Sequence, residues 1–462
     1  MRVLLVRPPH HNPVLAGYLA NEPLPLETVA GAAPDHEVRL LDMQFDPSLQ
    51  ATLESFQPDV VGTGGCTADV PAIRKLLAEA KRACPSCLTV VGGHHATVAP
   101  GDFNQAAIDA VVLGMGELTF AELLRTVERR GDLAQVAGLA LPAEGGLRHT
   151  AERPPPASLD ELPEPRRDLT AAYRRHYRAF GRPVGVINTA KGCPFRCRFC
   201  AIVTEMKGRY LTKSPDRVVS ELAVIPQRYV RFADGNTFGS ARRMTLLHDA
   251  IRSAGLRKRL MIDARSDTVA RHPELIARWR AIGLELVALG LESIRPAQLA
   301  AMGKGSTVEE NARAIEILHD NDIRIVGQFM VDQDFSEEDF DRLLDFVLEQ
   351  RIQLPSFLIT TPFPGTPLHE EQASRLVTDD HTRFDCFHSV LPTALPLSTF
   401  YRRFFELYEG AYGYRRMTTA ARDRVSRRRR SSDLPLPVLA VIRLFLAMNR
   451  RKLLRSLGLD EP

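Results

Sequence analysis

Short apolar runs alternate along this chain with stretches whose apolar positions recur at helical spacing. In the first third the runs fall at residues 3–6, 38–41, 60–62, 89–91 and 110–113, with helical periods such as 71–83 between them. A second series begins near residue 183, with runs at 184–188, 229–233, 259–263, 286–289, 324–330 and 356–360. Such alternation predicts parallel sheets covered by helices, and ligands of such sheets bind beyond the carboxyl ends of the strands. Between the two series, residues 151–183 are rich in proline, arginine and glutamate and read as a linker. The expected division is a first domain over 1–140, a linker over 141–182, a second domain over 183–375 and a helical region over 376–462.

At the predicted strand ends of the first series lie Pro8-Pro9-His10-His11, Gly62-Thr63-Gly64-Gly65-Cys66, Gly92-Gly93-His94-His95 and Gly114-Met115-Gly116-Glu117. Glycines there let the backbone approach a large ligand, although they do not form the G-x-G-x-x-G dinucleotide fingerprint. The histidines line the same proposed face; loop histidines bonded to backbone are the alternative. Cys84-Pro-Ser-Cys87 follows a predicted helix and precedes a predicted strand, so it reads as a structural turn.

Length and composition narrow the class. A chain of 462 residues suffices for two or three domains, each with its own core. Seven cysteines, an odd number, and no secretory segment behind Met1 point to a reducing cytoplasm. The net charge of +4 conceals an asymmetry: residues 1–140 carry 10 Lys/Arg against 16 Asp/Glu, and residues 401–462 carry 15 against 6. A basic end suits an anionic membrane surface or nucleic acid, or is simply solvated; no nucleic-acid partner is expected. The apolar stretch 434–448 is interrupted by Arg443 and is shorter than the roughly 20 residues a spanning helix needs. It reads as a helix lying on a membrane surface or packed on the second domain.

The chemistry is concentrated in Lys191-Gly-Cys-Pro-Phe-Arg-Cys-Arg-Phe-Cys-Ala, where Cys193, Cys197 and Cys200 follow a C-x-x-x-C-x-x-C spacing. Three thiols so placed can hold three irons of a [4Fe–4S] cluster and leave the fourth for a substrate, whereas electron-transfer clusters use four thiolates. A zinc site or buried structural cysteines are the alternatives, but no fourth Cys or His stands near Cys200, and His176 lies too far upstream.

On these residues, including the aromatic Phe199, the chain resembles the radical S-adenosylmethionine (SAM) enzymes. Its glycine loops resemble the cobalamin-binding domain of the B12-dependent members. The resemblance covers residues 1–370 and is nearest the cohort of hopanoid methylases, Mg-protoporphyrin cyclases and natural-product tailoring enzymes. It implies an α/β fold: an N-terminal Rossmann-like parallel sheet, then a partial (β/α)6 TIM-type barrel, then a helical C-terminal region. It also implies three cofactors, a [4Fe–4S] cluster, SAM and cobalamin. Carried over residue by residue, Cys193, Cys197 and Cys200 would ligate the cluster, and Phe199, Asp234, Arg265 and Glu292 would hold SAM. In that set Asp234 serves the methionine amino group, Arg265 the carboxylate and Glu292 the ribose hydroxyls, with a structural ion pair as the alternative for Arg265. Cobalamin would fall to Pro9, His10, Gly64, Gly65, Cys66, Gly92, Gly93, His94, Gly114, Gly116 and Glu117. Two departures stand out. The Asp-x-His-x-x-Gly signature is missing, which implies cobalamin without histidine on cobalt. The segment from Val331 to Phe335 also lacks the glycines and prolines usual in relatives.

The activity so implied is that of a B12-dependent radical SAM methyltransferase acting on an unactivated carbon of a lipid or natural product. It would work through a 5′-deoxyadenosyl radical and methylcobalamin. Such an enzyme needs an external one-electron reductant of the flavodoxin or ferredoxin type, and its localisation would be cytoplasmic, with peripheral membrane contact through the tail. Oxidative cyclisation or rearrangement is the alternative outcome. A B12-binding sensor with an inactive barrel is a further alternative, against which the intact triad argues. Methylthiotransferases carry a second cysteine triad ahead of the motif, which Cys66, Cys84 and Cys87 do not form.

Overall fold

The computed structural model describes residues 1–10 and 19–412, so His11, the run 427–430 and the stretch 434–448 lie outside the described residues. Five parallel strands form the heart of the first sheet, in the spatial order Glu37–Asp42, Arg2–Arg7, Val60–Gly64, Leu88–Gly92 and Ala110–Val112. Each predicted run coincides with one of them, the last overrunning its strand by one residue, Leu113. Alternate side chains along a strand point to opposite faces, and both faces are packed here. Leu4, Val6, Val61 and Val91 join a core with Ile73, Leu76 and Leu77 of the helix Val70–Ala83. Val3, Leu5, Val60 and Val90 join another with Phe120, Leu123 and Leu124 of the helix Gly116–Glu128. Strand order reverses at Arg2–Arg7, which opens the crevice where such sheets bind ligands.

An antiparallel hairpin of Leu139–Ala143 and Gly146–His149 extends the far edge of this sheet, past residue 140 and into the segment read as linker. Pro142 and the polar Arg148-His149 pair hide its strand pattern. Cys84 ends its helix and its carbonyl accepts from the Cys87 N–H at 3.0 Å, a turn between helix and strand.

The second sheet places six parallel strands side by side in chain order: Arg182–Ile187, Tyr229–Phe232, Arg259–Arg265, Leu284–Glu292, Arg324–Val331 and Leu354–Ile359. This is the open, curled half-barrel expected from the six repeated units. Several of its helices begin at side-chain caps. Ser240, Thr307 and Ser336 each accept from a backbone amide of the first turn, an arrangement generally worth about 1 kcal/mol. The C-terminal helix Leu397–Tyr412 covers the last strand, an otherwise exposed edge. There the Tyr408 hydroxyl accepts from the Phe357 N–H at 3.1 Å and donates to the Phe357 carbonyl at 2.6 Å.

The two domains do not share an apolar core among the described residues; each sheet packs its own. What joins them at the site is polar: Lys191 pairs with Glu117, His94 with Glu205, and His381 with Asp102. No described helix is long and apolar enough to cross a membrane.

Candidate active site

The three clustered cysteines sit on a loop held out from the first barrel strand by a small ribbon, Ala190–Gly192 paired antiparallel with Tyr210–Thr212. The Arg198 N–H donates to the Met302 carbonyl at 3.0 Å, which ties the loop to the barrel mouth. Cys193 and Cys197 are buried, Cys200 is half-buried, and all three are free thiols. Burial pushes the Cys193 and Cys200 thiols up, and the neighbouring Cys197 sulfur pushes each the same way. The loop thus carries three free, wholly or partly buried thiols within eight residues. Arg265 approaches from the third barrel strand, its guanidinium 3.8 Å over the Phe195 ring and its Nη1 donating to Cys197 Sγ at 3.2 Å.

Around this loop the remaining barrel residues are held by internal partners. Asp234 is buried; one carboxylate oxygen accepts from the Thr189 and Ala190 amides at 2.7 and 2.9 Å, the other from the Thr189 hydroxyl at 2.6 Å. Burial raises its carboxyl above the usual range despite these bonds. Arg265 also donates to Asp267 at 2.9 Å, so the ion pair anticipated as an alternative is present. Glu292 ends the fourth strand in the left-handed region, φ 58°, and pairs with Lys304 at 2.6 Å, both buried. A Cβ on Gly290 would stand 2.6 Å from the Glu292 carboxylate and 2.9 Å from Lys304 Nζ, so glycine there makes room for the pair. Phe199 lines a cavity of about 450 Å³ with Met302, Gln298, Asp332 and Leu391. Burial raises the Asp332 carboxyl as well.

The residues expected to meet cobalamin lie at the carboxyl edge of the first sheet. Gly64, Gly65, Gly92, Gly114 and Gly116 are half-buried, and Pro9, Cys66 and Gly93 are exposed. A Cβ on Gly64 would sit 2.6 Å from the Gly92 carbonyl oxygen, so these loops approach each other as well as any ligand. His94 turns toward the second domain, its Nδ1 3.1 Å from Glu205, while its Nε2 is buried without a partner. Glu117 receives a hydrogen bond from Lys191 at 2.5 Å through one oxygen, and its other oxygen is buried without a partner. His95 does not line the ligand face as expected. It is fully buried between Thr67 and Asp102 at 3.1 and 2.9 Å, because the short helix His94–Val98 turns His95 and Ala96 inward. A second cavity, about 380 Å³, opens between these loops and the linker, lined by Thr97, Gly114, Met115, Pro155 and Glu205.

Sequence reasoning gave no role to Lys191, Lys304 or Glu205. The first stands two residues before Cys193, but its partner is 74 residues away, and Lys304 meets Glu292 across an intervening helix.

Family models match both halves: the B12 binding domain over residues 17–124 and the Radical SAM superfamily over residues 187–347. The chain is 31% identical over 416 residues to the hopanoid C-3 methylase of Methylococcus capsulatus, covering 88% of this chain and 79% of that protein. It is 28% identical over 440 residues to the anaerobic magnesium-protoporphyrin IX monomethyl ester cyclase of Rubrivivax gelatinosus, covering 88% and 77%. Among solved structures, the radical SAM methyltransferase TsrM from Kitasatospora setae, with cobalamin and a [4Fe–4S] cluster bound, superposes with a TM-score of 0.65 at 20% identity over 82% of this chain and 76% of that one. The cobalamin-dependent radical enzyme OxsB, with aqua-cobalamin and SAM bound, gives 0.72 at 16% identity, over 100% and 73%. The chain belongs to the cobalamin-binding radical SAM family. Within it, the chain is a radical SAM methyltransferase whose cofactors are a [4Fe–4S] cluster, SAM and cobalamin.

The residues present fit these groups. Three free thiols stand on a single loop, and Arg265 reaches the middle one, Cys197. Near Asp234 and Lys304, Asn236 Nδ2 and Ser306 Oγ are buried without partners, as are His94 Nε2 and Glu117 Oε2 on the cobalamin side. Buried polar atoms left unpaired are costly, and a bound ligand would satisfy them.

Proposed function

We propose that this enzyme methylates an unreactive carbon of a lipid or natural-product substrate in the seam between its two domains. The observation that carries the reading is the direct pairing of the two cofactor regions: Lys191 and Glu205, flanking the cysteine loop, reach Glu117 and His94 on the glycine loops. No side chain performs one-electron or methyl-carrier chemistry, so the bound cluster and cobalamin supply reductive cleavage of SAM and methyl carriage. The chain contributes position and exclusion of water. Cys193, Cys197 and Cys200 hold the cluster. Asp234, through the turn it braces, and Asn236 present the methionine amino group's side of the pocket, and Arg265 offers its charge to the carboxylate. Glu292, steadied by Lys304, accepts from the ribose hydroxyls, and Phe199 bounds the cavity beside it. On the other side Gly64, Gly65, Cys66, Gly92, Gly93, Gly114 and Gly116 give the corrinoid a backbone surface. His94 and Glu117 offer it their unpaired atoms, and Pro9 and His10 border it.

The hopanoid methylase among the relatives supports a lipid substrate. The basic stretch 419–462 supports peripheral contact with an anionic membrane, and a flavodoxin or ferredoxin would deliver the electrons. Anaerobic incubation with deuterated-methyl SAM, a reductant and lipid extract of the host should yield 5′-deoxyadenosine and a product carrying the labelled methyl. An unlabelled oxidised product would favour cyclisation, and absence of deoxyadenosine would favour a sensor.

A further inference from the structure

We propose that His95, Asp102 and His381 form a divalent-metal site, suited to zinc, that clasps the C-terminal segment onto the glycine loops of the first domain. His95 lies in the helix directly behind Gly92 and Gly93, Asp102 in the next turn, Pro100–Phe103, and His381 in the turn His381–Arg383 far along the chain. One ligand atom from each lies within 4.8 Å of the other two. Asp102 Oδ2 is 2.9 Å from His95 Nε2 and 3.1 Å from His381 Nε2. The two imidazoles stand nearly perpendicular, at 86°, with centroids 5.1 Å apart. A tetrahedral zinc with Zn–N bonds of about 2.0–2.1 Å would place two ring centres on the order of 5 Å apart. The same geometry asks the two nitrogen–oxygen separations to open by only about 0.4 and 0.2 Å.

The surroundings orient these atoms as metal ligands are oriented. Thr67 Oγ1 lies 3.1 Å from His95 Nδ1 and can accept its N–H, which turns the Nε2 lone pair inward. Arg74 donates to the Asp102 main-chain carbonyl from Nε at 2.8 Å and stands 3.5 Å from Oδ1, leaving Oδ2 to the rings. His95 is fully buried, but the side chains of Asp102 and His381 are 32% and 20% exposed, so ions can enter and a water can complete the shell. Two imidazoles and one carboxylate are a donor set that zinc accepts. The segment carrying His381 is itself anchored to the barrel, since the Ile359 N–H of the last strand donates to the Cys386 carbonyl at 2.7 Å. Metal at this point would strut the last barrel strand against the loops following Gly64 and Gly92. Without metal, Asp102 would simply accept hydrogen bonds from both rings.

The test uses the full chain with Cys193, Cys197 and Cys200 all changed to alanine, so that zinc cannot occupy the cluster thiols. Equilibrium dialysis against zinc chloride followed by elemental analysis should find one zinc that His381→Ala, His381→Gln and Asp102→Asn each remove. Zinc K-edge absorption should show nitrogen and oxygen neighbours only. Thr67→Val should weaken binding about tenfold. His381→Gln can still hydrogen-bond Asp102, so it keeps the test valid if the alanine variant fails to fold. No zinc bound, zinc retained in the His381 variants, or sulfur in its shell would overturn the site and leave the hydrogen-bonded clasp.

Discussion

At the carboxyl edge of the first sheet the chain places glycine: Gly64, Gly65, Gly92, Gly93 and Gly114 form a rim with few side chains. At the same edge of the half-barrel it places charge, with Asp234, Arg265, Glu292 and Lys304 buried and cross-linked. One edge is therefore shaped by how closely backbones approach, and the other by which ions are paired. The difference teaches that the two halves should fail differently, because a lost methylene of space and a lost counter-ion differ in size and in reach.

The sharpest break comes from Cys197→Ala. It should remove the cluster, seen as lost iron and lost visible absorbance after anaerobic reconstitution, while cobalamin binding persists because the glycine rim is a separate structure. Loss of both together would erase the contrast. Next is Glu292→Ala, which leaves Lys304 buried with no counter-ion. Breaking a buried pair in this way generally costs about 3–5 kcal/mol, so denaturant unfolding should shift strongly. An unchanged midpoint would mean the pair is not what holds the barrel mouth.

Buried charge also occurs in the first half, where Glu27 is fully buried and its carboxyl is raised from 4.5 to about 7, by burial first and then by the nearby Glu22. The folded state therefore binds the proton more tightly than the unfolded chain. The stability this gives is fully present below pH 4.5 and is lost as pH rises through about 7. Glu27→Gln should flatten that fall, an effect on the order of 2–3 kcal/mol at pH 8, measured as unfolding free energy against pH. Equal slopes in both proteins would exclude Glu27 as its source. The smallest expected effect is from Gly64→Ala, whose new methyl would press on the Gly92 carbonyl. Overpacking of this kind costs about 1–3 kcal/mol. It should lower cobalamin affinity while iron content stays the same; reduced iron as well would show that the rim and the cysteine loop are not independent.

Much of this layout was legible in the chain, and the reasons are local. The strands were visible because each is a short apolar run bounded by polar turns, and the cysteine loop because its three cysteines lie within eight residues. The hairpin after Leu139 was hidden by Pro142 and by polar residues on its outer strand. Asp234, Arg265 and Glu292 were singled out through family resemblance rather than spacing. Their partners Thr189, Asp267 and Lys304 come into view only when the barrel closes around them. His95 was misplaced because the left-handed Gly93 starts a short helix whose facing sequence pattern alone does not orient, and its neighbour His381 lies 286 residues further along the chain.

The polar seam has a consequence for assembly. Although each half packs its own apolar interior, Leu19–Ala20 of the first half adds an antiparallel strand to the edge of the barrel sheet and Glu22 accepts from the Val186 N–H at 2.6 Å, so backbone pairing stitches the halves together. Any large ligand of the seam must therefore be admitted around a fixed backbone link rather than by the halves swinging freely apart.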